Sequence, residues 1–142
     1  MAQILKQNSL YFAWLNVTIA TFGSLFFSEV LKYPPCNLCW YQRICMFPLV
    51  VILAIGIAKN GKETLLYSFP FAFLGWIISI YHNLLYYRII TTAIVPCSSG
   101  SSCTEKQIEI FGFLTIPLMS LIAFSIALIF LLLFKNSQKV QS

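Results

Sequence analysis

Residues 36–58 read CNLCWYQRICMFPLVVILAIGIA, a Cys-x-x-Cys motif that leads directly into an apolar run at about 39–58. A run of this length falls within the roughly 17 to 25 residues that an α-helix needs to cross a bilayer. Three more apolar runs of similar length occur in the chain, at about 10–28, 65–85 and 111–134. The sequence therefore predicts four membrane-spanning helices.

The composition indicates the same fold class. Of the 142 residues, 59% are hydrophobic and 9% are charged, whereas an ordinary soluble domain has about 25% charged residues. A water-soluble core built from so short a chain could not hide this much apolar surface, but a bilayer removes that requirement. We therefore predict an all-α integral membrane protein with one four-span domain over residues 1–142.

The net charge of +5 is not gathered into a patch. The nine Lys and Arg residues lie mostly at the ends of the apolar runs, where such side chains anchor helices at the membrane surface. We expect membrane lipid as a partner and no nucleic acid. Three prolines fall within the predicted spans, where membrane helices tolerate them and where we expect kinks: Pro48, Pro70 and Pro117.

Four spans place both termini on one side of the membrane, in an up-down four-helix bundle. Basic residues on the side of the termini are Lys6, Lys59, Lys62, Lys135 and Lys139, against Lys32, Arg88 and Lys106 on the other side. Arg43 is also on that other side, but it lies inside the second apolar run and is not counted as a loop charge. The positive-inside rule then predicts cytoplasmic termini and outer loops at 29–38 and 89–110. The cysteine pairs Cys36 with Cys39 and Cys97 with Cys103 fall on the outer side, where disulfides persist.

The first cysteine pair is expected at a helix start. Pro34 and Pro35 precede Cys36, and prolines are compatible with the first turn of a helix but not with helix before it. The unpaired N–H groups at a helix N-terminus stabilise a thiolate, so Cys36 or Cys39 is a candidate nucleophile. Arg43 shares a helical face with both cysteines and could stabilise a thiolate or an anionic reduced acceptor.

Other interpretations of these residues stay open at this point. Arg43 could extend to the headgroups beside Trp40 and Tyr41, and the two cysteine pairs could form a zinc site. The pair Cys97 and Cys103 could be a structural staple, although closing so short a loop stabilises by only about 2 kcal/mol.

Two further residues need an interpretation. His82 lies in the segment Tyr81-His82-Asn83, near the predicted outer end of the third span. It either lines a pocket shared with Cys36 or belongs to an interfacial aromatic belt. Cys45 lies off the face of Cys39, and we interpret it as a buried small hydrophobic residue.

With these features the chain resembles the DsbB family of thiol:quinone oxidoreductases, most closely its short BdbC-type branch. The resemblance covers nearly the whole chain. It rests on the four spans, the Cys-x-x-Cys motif with Arg43 after it, His82 before the outer loop, the loop pair Cys97 and Cys103, and the segments Phe111-Gly112 and Ile116-Pro117.

The resemblance implies an enzyme of the bacterial inner (plasma) membrane that binds a quinone, menaquinone or ubiquinone, beside Cys39, Arg43 and His82. It implies electron entry from an extracytoplasmic, DsbA-like thioredoxin-like oxidase, first to the pair Cys97 and Cys103. By similarity, Cys97 would form the mixed disulfide with the partner and Cys103 would connect to the pair Cys36 and Cys39. Electrons would leave through the quinone pool to the respiratory chain.

Two rival functions belong to other classes. A vitamin K epoxide reductase-like enzyme also joins a four-helix bundle to quinone chemistry, but its loop cysteines precede the Cys-x-x-Cys motif. A non-enzymatic four-span protein with disulfide-closed loops would leave Arg43 unexplained. The spacing between Cys97 and Cys103, with five intervening residues, is short for the family, so we do not expect the loop movements of its longer members.

Overall fold

Four apolar stretches of the sequence form long helices in the computed structural model of the chain. They are α1 (Ser9–Glu29), α2 (Asn37–Lys59), α3 (Thr64–Tyr86) and α4 (Ile116–Gln141). The structure describes residues 8–30, 32, 37–59, 63–87, 89, 109–110 and 114–141. Two short strands before α4, β1 (Glu109–Ile110) and β2 (Leu114–Thr115), pair antiparallel.

Each helix contains a segment that is long and apolar enough to cross a membrane. These segments have 21 or 23 residues, and a 21-residue helix is about 31 Å long, close to the roughly 30 Å of the bilayer interior. Large apolar side chains such as Phe22, Val51 and Leu66 are exposed on the helix surfaces. Lipid is the solvent that such faces require, so the prediction of an all-α membrane protein with four spans is confirmed.

Contacts between α3 and α4 show that these helices run in opposite directions. As the residue number rises along one helix it falls along the other, through the pairs Asn83 with Pro117, Ser79 with Ser120 and Trp76 with Ser125. Between α1 and α4 the same relation holds for Asn16 with Ala123 and Phe12 with Phe130.

The contacts of α2 with α1 and α3 show the remaining helix directions. Arg43 near the start of α2 contacts Ser24 near the end of α1, and Gln42 contacts Ser79 in the second half of α3. Each helix is therefore antiparallel to its two neighbours, which is the predicted up-down bundle. We call the end where α2 and α4 begin the cysteine end, because it carries Cys39, and the other the opposite end.

Two helix starts show how proline directs the local fold. Helix α2 begins at Asn37, close to the start predicted from Pro34 and Pro35. Helix α4 begins at Ile116, later than the expected start at 111, because residues 114–115 form β2. Pro117 is therefore in the first turn of α4, where its missing N–H has no helical partner to lose, and the expectation that it lies inside a span was wrong. Pro48 and Pro70 do lie inside their helices.

An apolar core occupies the opposite end. It consists of buried side chains from all four helices: Leu10, Ala13, Val17, Leu49, Leu53, Ala72, Ala127, Leu131 and Phe134. Three of them are alanines, and small residues let membrane helices approach closely. Gly75 serves the same purpose toward the middle of α3, because a Cβ atom there would overlap the ring of Phe124.

Candidate functional site

Cys39 lies in the first turn of α2, where backbone N–H groups lack helical partners. Its side chain is partly buried and packs, as Ile78 and Tyr81 do, against a small apolar cluster of Leu38 and Leu85 at the cysteine end. Because Leu38 belongs to α2 and Leu85 to α3, Cys39 lies next to the contact between these two helices. The predicted site residues Cys36, Cys97 and Cys103 lie outside the described residues.

Arg43 is one helical turn beyond Cys39 and points against α1. Its Nε donates a hydrogen bond to Ser24 Oγ at 2.9 Å, its Nη2 donates to the Ser24 carbonyl at 2.8 Å, and its Nη1 donates to Ser28 Oγ at 3.4 Å. The guanidinium carbon also lies 5.8 Å from the centre of the Trp40 ring. The side chain is only 8% exposed, so Arg43 is held inside the bundle and does not extend to the headgroups.

Gln42 and His82 form a second polar contact, on the other side of α2. Gln42 Nε2 donates to Ser79 Oγ at 3.3 Å and lies 3.4 Å from His82 Nδ1. Ser79 Oγ in turn donates to the Gly75 carbonyl at 2.8 Å. His82 is 3% exposed and Gln42 is 5% exposed, so His82 is a bundle residue and not part of an interfacial aromatic belt.

Asn83 extends this network to α4. Its Nδ2 donates to the Ser79 carbonyl at 2.8 Å and to the Pro117 carbonyl at 2.9 Å. Ser120 Oγ donates to the same Pro117 carbonyl at 2.8 Å. In the part of the chain that the structure describes, Asn83 Oδ1 and Tyr86 Oη are buried without a hydrogen-bond partner. These two atoms can accept a hydrogen bond from a bound molecule.

We call this network the polar cluster; its members are Gln42, Ser79, His82, Asn83 and Ser120. The structure places it directly beside the surroundings of Cys39. Ile78, His82 and Leu85 are spaced to share one face of α3, and both Cys39 and Ile78 pack against the cluster of Leu38 and Leu85. Of the predicted site residues, Cys39 and His82 therefore both lie next to the contact between α2 and α3, whereas the Arg43 side chain is directed toward α1.

Several polar residues of this region do not feature in the sequence predictions: Ser24, Ser28, Gln42 and Ser79. Two signals point to them in the sequence. Gln42 is an amide inside a membrane span, which indicates a protein-facing position. Ser79 and Asn83 lie three residues before and one residue after His82, so helical spacing groups them on one side of α3.

Cys45 has a different environment from Cys39. It is buried among Met46, Ala123 and Phe124, and it is a free thiol. The structure thus has Cys45 as a small apolar side chain, as the sequence predicts.

The sequence of the chain matches a known protein family. The family described as "Disulfide bond formation protein DsbB" matches residues 6–134, a range that contains the polar cluster, Arg43 and both cysteine pairs. The chain belongs to the DsbB family. Membership in this DsbB family makes it a disulfide-forming membrane oxidoreductase.

Relatives of this DsbB-family chain match along nearly its whole length. The "Probable disulfide formation protein C 2" of Bacillus anthracis is 43% identical over 138 residues, covering 97% of this chain and 96% of that protein. The "Disulfide bond formation protein C" of Bacillus subtilis is 45% identical, covering 91% of this chain and 94% of that protein. A "Probable disulfide formation protein" of Coxiella burnetii is 40% identical, covering 94% and 91%. No solved structure matches the chain at a significant level.

Proposed function

We propose that this DsbB-family protein is a thiol:quinone oxidoreductase that reoxidises an extracytoplasmic, DsbA-like thioredoxin-like oxidase. Electrons enter at the pair Cys97 and Cys103 and pass to the pair Cys36 and Cys39. The observation that carries the proposal is the concentration of buried polar side chains at the cysteine end, with Gln42 and Arg43 on α2 and Ser79, His82 and Asn83 on α3. Ionisable and amide groups are rare inside membranes and usually mark a functional site. These buried polar side chains therefore indicate a site for binding or for a reaction.

Thiol–disulfide exchange accounts for the first steps, and these steps need no further electron acceptor. A thiolate of the reduced partner attacks the Cys97–Cys103 disulfide, forms a mixed disulfide with Cys97 and releases Cys103 as a thiolate. Attack of Cys103 on Cys36 then breaks the Cys36–Cys39 disulfide, forms a Cys36–Cys103 disulfide and releases Cys39 as a thiolate. The partner's second thiolate resolves the mixed disulfide and leaves as the oxidised partner. The freed Cys97 attacks Cys103, which re-forms the Cys97–Cys103 disulfide and releases Cys36 as a thiolate. Each exchange breaks one S–S bond and forms another, so the electron pair moves inward while the number of disulfides stays constant.

Restoring the Cys36–Cys39 disulfide removes two electrons and two protons from the protein. When bound, a quinone of the menaquinone or ubiquinone class supplies the acceptor for both. The residues of the cysteine end fit such a molecule. Arg43 and His82 carry N–H groups that can donate hydrogen bonds to carbonyl oxygens, and the buried Asn83 Oδ1 can accept a hydrogen bond from a hydroxyl group.

The protein groups around Cys39 have separate tasks in this proposal. Arg43 places a positive charge one turn from Cys39, which favours the thiolate. The hydrogen bonds that the Arg43 guanidinium donates to Ser24 and Ser28 hold that charge in a fixed position. Leu38 and Leu85 cover part of the Cys39 side chain, and a less polar surrounding strengthens the electrostatic interaction.

The proposed orientation in the membrane follows from the distribution of basic residues. Cytoplasmic termini place the cysteine end on the extracytoplasmic side of the bacterial inner (plasma) membrane. A secreted or membrane-tethered oxidase can then reach Cys97, and the quinone pool connects the enzyme to the respiratory chain. Labelling of single cysteines with a membrane-impermeant thiol reagent in intact cells tests this orientation.

Quinone binding by the purified protein tests the function. We expect bound quinone, or oxidation of the protein's thiols by added quinone, and we expect both to change in Cys39→Ala and Arg43→Met. Cys45→Ala is the matched control, because Cys45 is a buried thiol on the same helix outside the proposed site. A protein that neither binds quinone nor is oxidised by it contradicts the proposal and favours a non-enzymatic membrane protein.

A trap for the partner tests the first exchange. Replacement of Cys103 by Ala leaves Cys97 without its resolving thiol, so the mixed disulfide with the partner accumulates. We expect a thioredoxin-like protein linked to Cys97 in Cys103→Ala and none in a Cys97→Ala/Cys103→Ala double variant. Absence of any linked protein contradicts the role of Cys97.

A further inference from the structure

The hydrogen bonds around Ser79 have a defined direction. The Ser79 hydroxyl hydrogen faces the Gly75 carbonyl, four residues earlier on α3, at an oxygen–oxygen distance of 2.8 Å. A serine hydroxyl has a single hydrogen. With that hydrogen committed to Gly75, Ser79 Oγ is an acceptor toward the rest of the polar cluster.

This direction orients the side-chain amide of Gln42. The atom 3.3 Å from Ser79 Oγ has to be a donor, so it is Nε2 and not Oε1. If the amide were turned over, its oxygen would face the Ser79 oxygen, and the serine hydrogen would have to leave a 2.8 Å bond for a 3.3 Å one. The assignment of amide nitrogen and oxygen therefore follows from the network.

The same nitrogen faces His82. Gln42 Nε2 has two hydrogens, and it lies 3.4 Å from His82 Nδ1 as well as 3.3 Å from Ser79 Oγ. One hydrogen is directed to Ser79 Oγ and the other to His82 Nδ1, which must then be an acceptor without a hydrogen. We infer that Gln42 is a positioning residue that holds His82 in the tautomer with its ring hydrogen on Nε2.

The tautomer decides which edge of the histidine can donate. With Nδ1 accepting from Gln42, the ring donates only through Nε2, and Ser79 is the anchor that keeps Gln42 from reversing the arrangement. In the DsbB-family reaction, and resting on the proposed function, His82 is then a hydrogen-bond donor toward an acceptor oxygen. A buried histidine with the opposite tautomer would present a lone pair at the same edge, and it would repel such an oxygen.

The chain offers an unusually direct measurement, because it contains a single histidine. Full-length protein with ¹⁵N-labelled histidine, in lipid nanodiscs without added quinone, gives one pair of ring nitrogen signals. Couplings to the two ring carbon-bound protons assign them, since Nε2 couples strongly to both and Nδ1 to one. We expect a protonated Nε2 and an unprotonated Nδ1. A protonated Nδ1 in the unmodified protein overturns the inference.

Two substitutions of Gln42 make the test specific. Gln42→Glu replaces the donor by an acceptor of the same shape, and we expect Nδ1 to become protonated. Gln42→Met removes the hydrogen bond at similar length, and we expect a mixture of tautomers. Unchanged ring signals in both variants overturn the inference, because a side chain with only a packing role has no influence on where the ring hydrogen lies.

Ser79→Ala tests the anchor and serves if the Gln42 variants fail to fold. It removes the acceptor that orients the amide while leaving Gln42 in place, so we again expect a mixture of tautomers. Ser125→Ala is the matched control, because Ser125, like Ser79, bonds to the carbonyl four residues back along its helix and accepts from a side chain on a neighbouring helix. We expect no change in its histidine signals, and an equal shift in both serine variants contradicts a specific role for Ser79.

Kinetics separate this inference from the proposed function. If both hold, Gln42→Met raises the KM for quinone by about three- to tenfold, the effect of one lost hydrogen bond, with a smaller change in kcat. A protein without quinone turnover but with the expected ring signals refutes the proposed function and leaves the positioning role standing. Normal quinone turnover with unchanged ring signals in the Gln42 variants refutes the positioning role and leaves the proposed function standing.

Discussion

The apolar core and the polar cluster lie toward opposite ends of one bundle, and they differ in what a substitution can do to them. In the apolar core the helices meet through leucine and alanine side chains, whose contacts depend on shape and have little directionality. In the polar cluster the helices meet through hydrogen bonds that each need a particular donor and acceptor. An incomplete polar network is less stable than an apolar one.

This difference teaches where function lies in the molecule. Apolar packing joins the helices at the opposite end. Burying the polar cluster costs more free energy than such packing, and its position near Cys39 indicates a chemical role. Substitutions at the two ends should separate stability from activity, and the following experiments test that separation, from the largest expected effect to the smallest.

Cys39→Ala should abolish quinone-linked disulfide formation, because the sulfur that is proposed to react is absent. The measurement is the rate at which a reduced thioredoxin-like substrate is oxidised by the purified protein with added quinone. Cys45→Ala should retain the rate of the unmodified protein. Equal losses in the two variants would show that the environment of Cys39 has no special function.

Leu53→Ala should lower the free energy of unfolding by about 2 to 5 kcal/mol, since Leu53 is fully buried in the apolar core. Reversible unfolding in mixed micelles, followed by circular dichroism, measures the change. Below the unfolding transition the turnover rate should stay close to that of the unmodified protein. A large loss of turnover in the folded variant would show that the apolar core contributes to activity as well as to stability.

Arg43→Met should lower kcat/KM for quinone by about ten- to hundredfold, the effect of losing hydrogen bonds from a charged group. Steady-state kinetics over a range of quinone concentrations measures it. Arg43→Lys keeps the charge but cannot form the fork to Ser24 and Ser28, so its loss should be smaller. If the lysine variant is as impaired as the methionine variant, geometry and not charge is the contribution of Arg43.

Ser24→Ala should reduce kcat/KM for quinone by about three- to tenfold, because Arg43 loses one of its bonds to α1. Ser28→Ala should have a smaller effect, since the bond to Ser28 is 3.4 Å long and the one to Ser24 is 2.9 Å. The same kinetic assay compares the two variants. The opposite order would mean that Arg43 is held mainly by Ser28 in the working enzyme.

The four helices were predictable because span length and apolarity depend on local sequence alone. The start of α4 was harder, since the residues before Ile116 are as apolar as those after it and Pro117 was interpreted as an interior proline. Residues 114–115 instead pair with β1. A strand pairing joins separate segments, and apolarity along the chain carries no information about it.

The sequence indicated that Arg43 is unusual but not which helix it contacts. Helical spacing placed Arg43 on the face of Cys39, whereas its partners Ser24 and Ser28 lie on α1. Gln42 and Ser79 are 37 positions apart in the chain. Which helix a given face meets depends on the packing of all four, so contacts of this kind need the three-dimensional structure.

The Pro117 carbonyl accepts hydrogen bonds from Asn83 on α3 and from Ser120 on α4. It lies in the first turn of the helix that follows the segment bearing Cys97 and Cys103 in the sequence. Asn83, next to His82, thus connects the first turn of α4 to α3 by a hydrogen bond. A displacement of the first turn of α4 would therefore change the hydrogen bond of Asn83, beside His82.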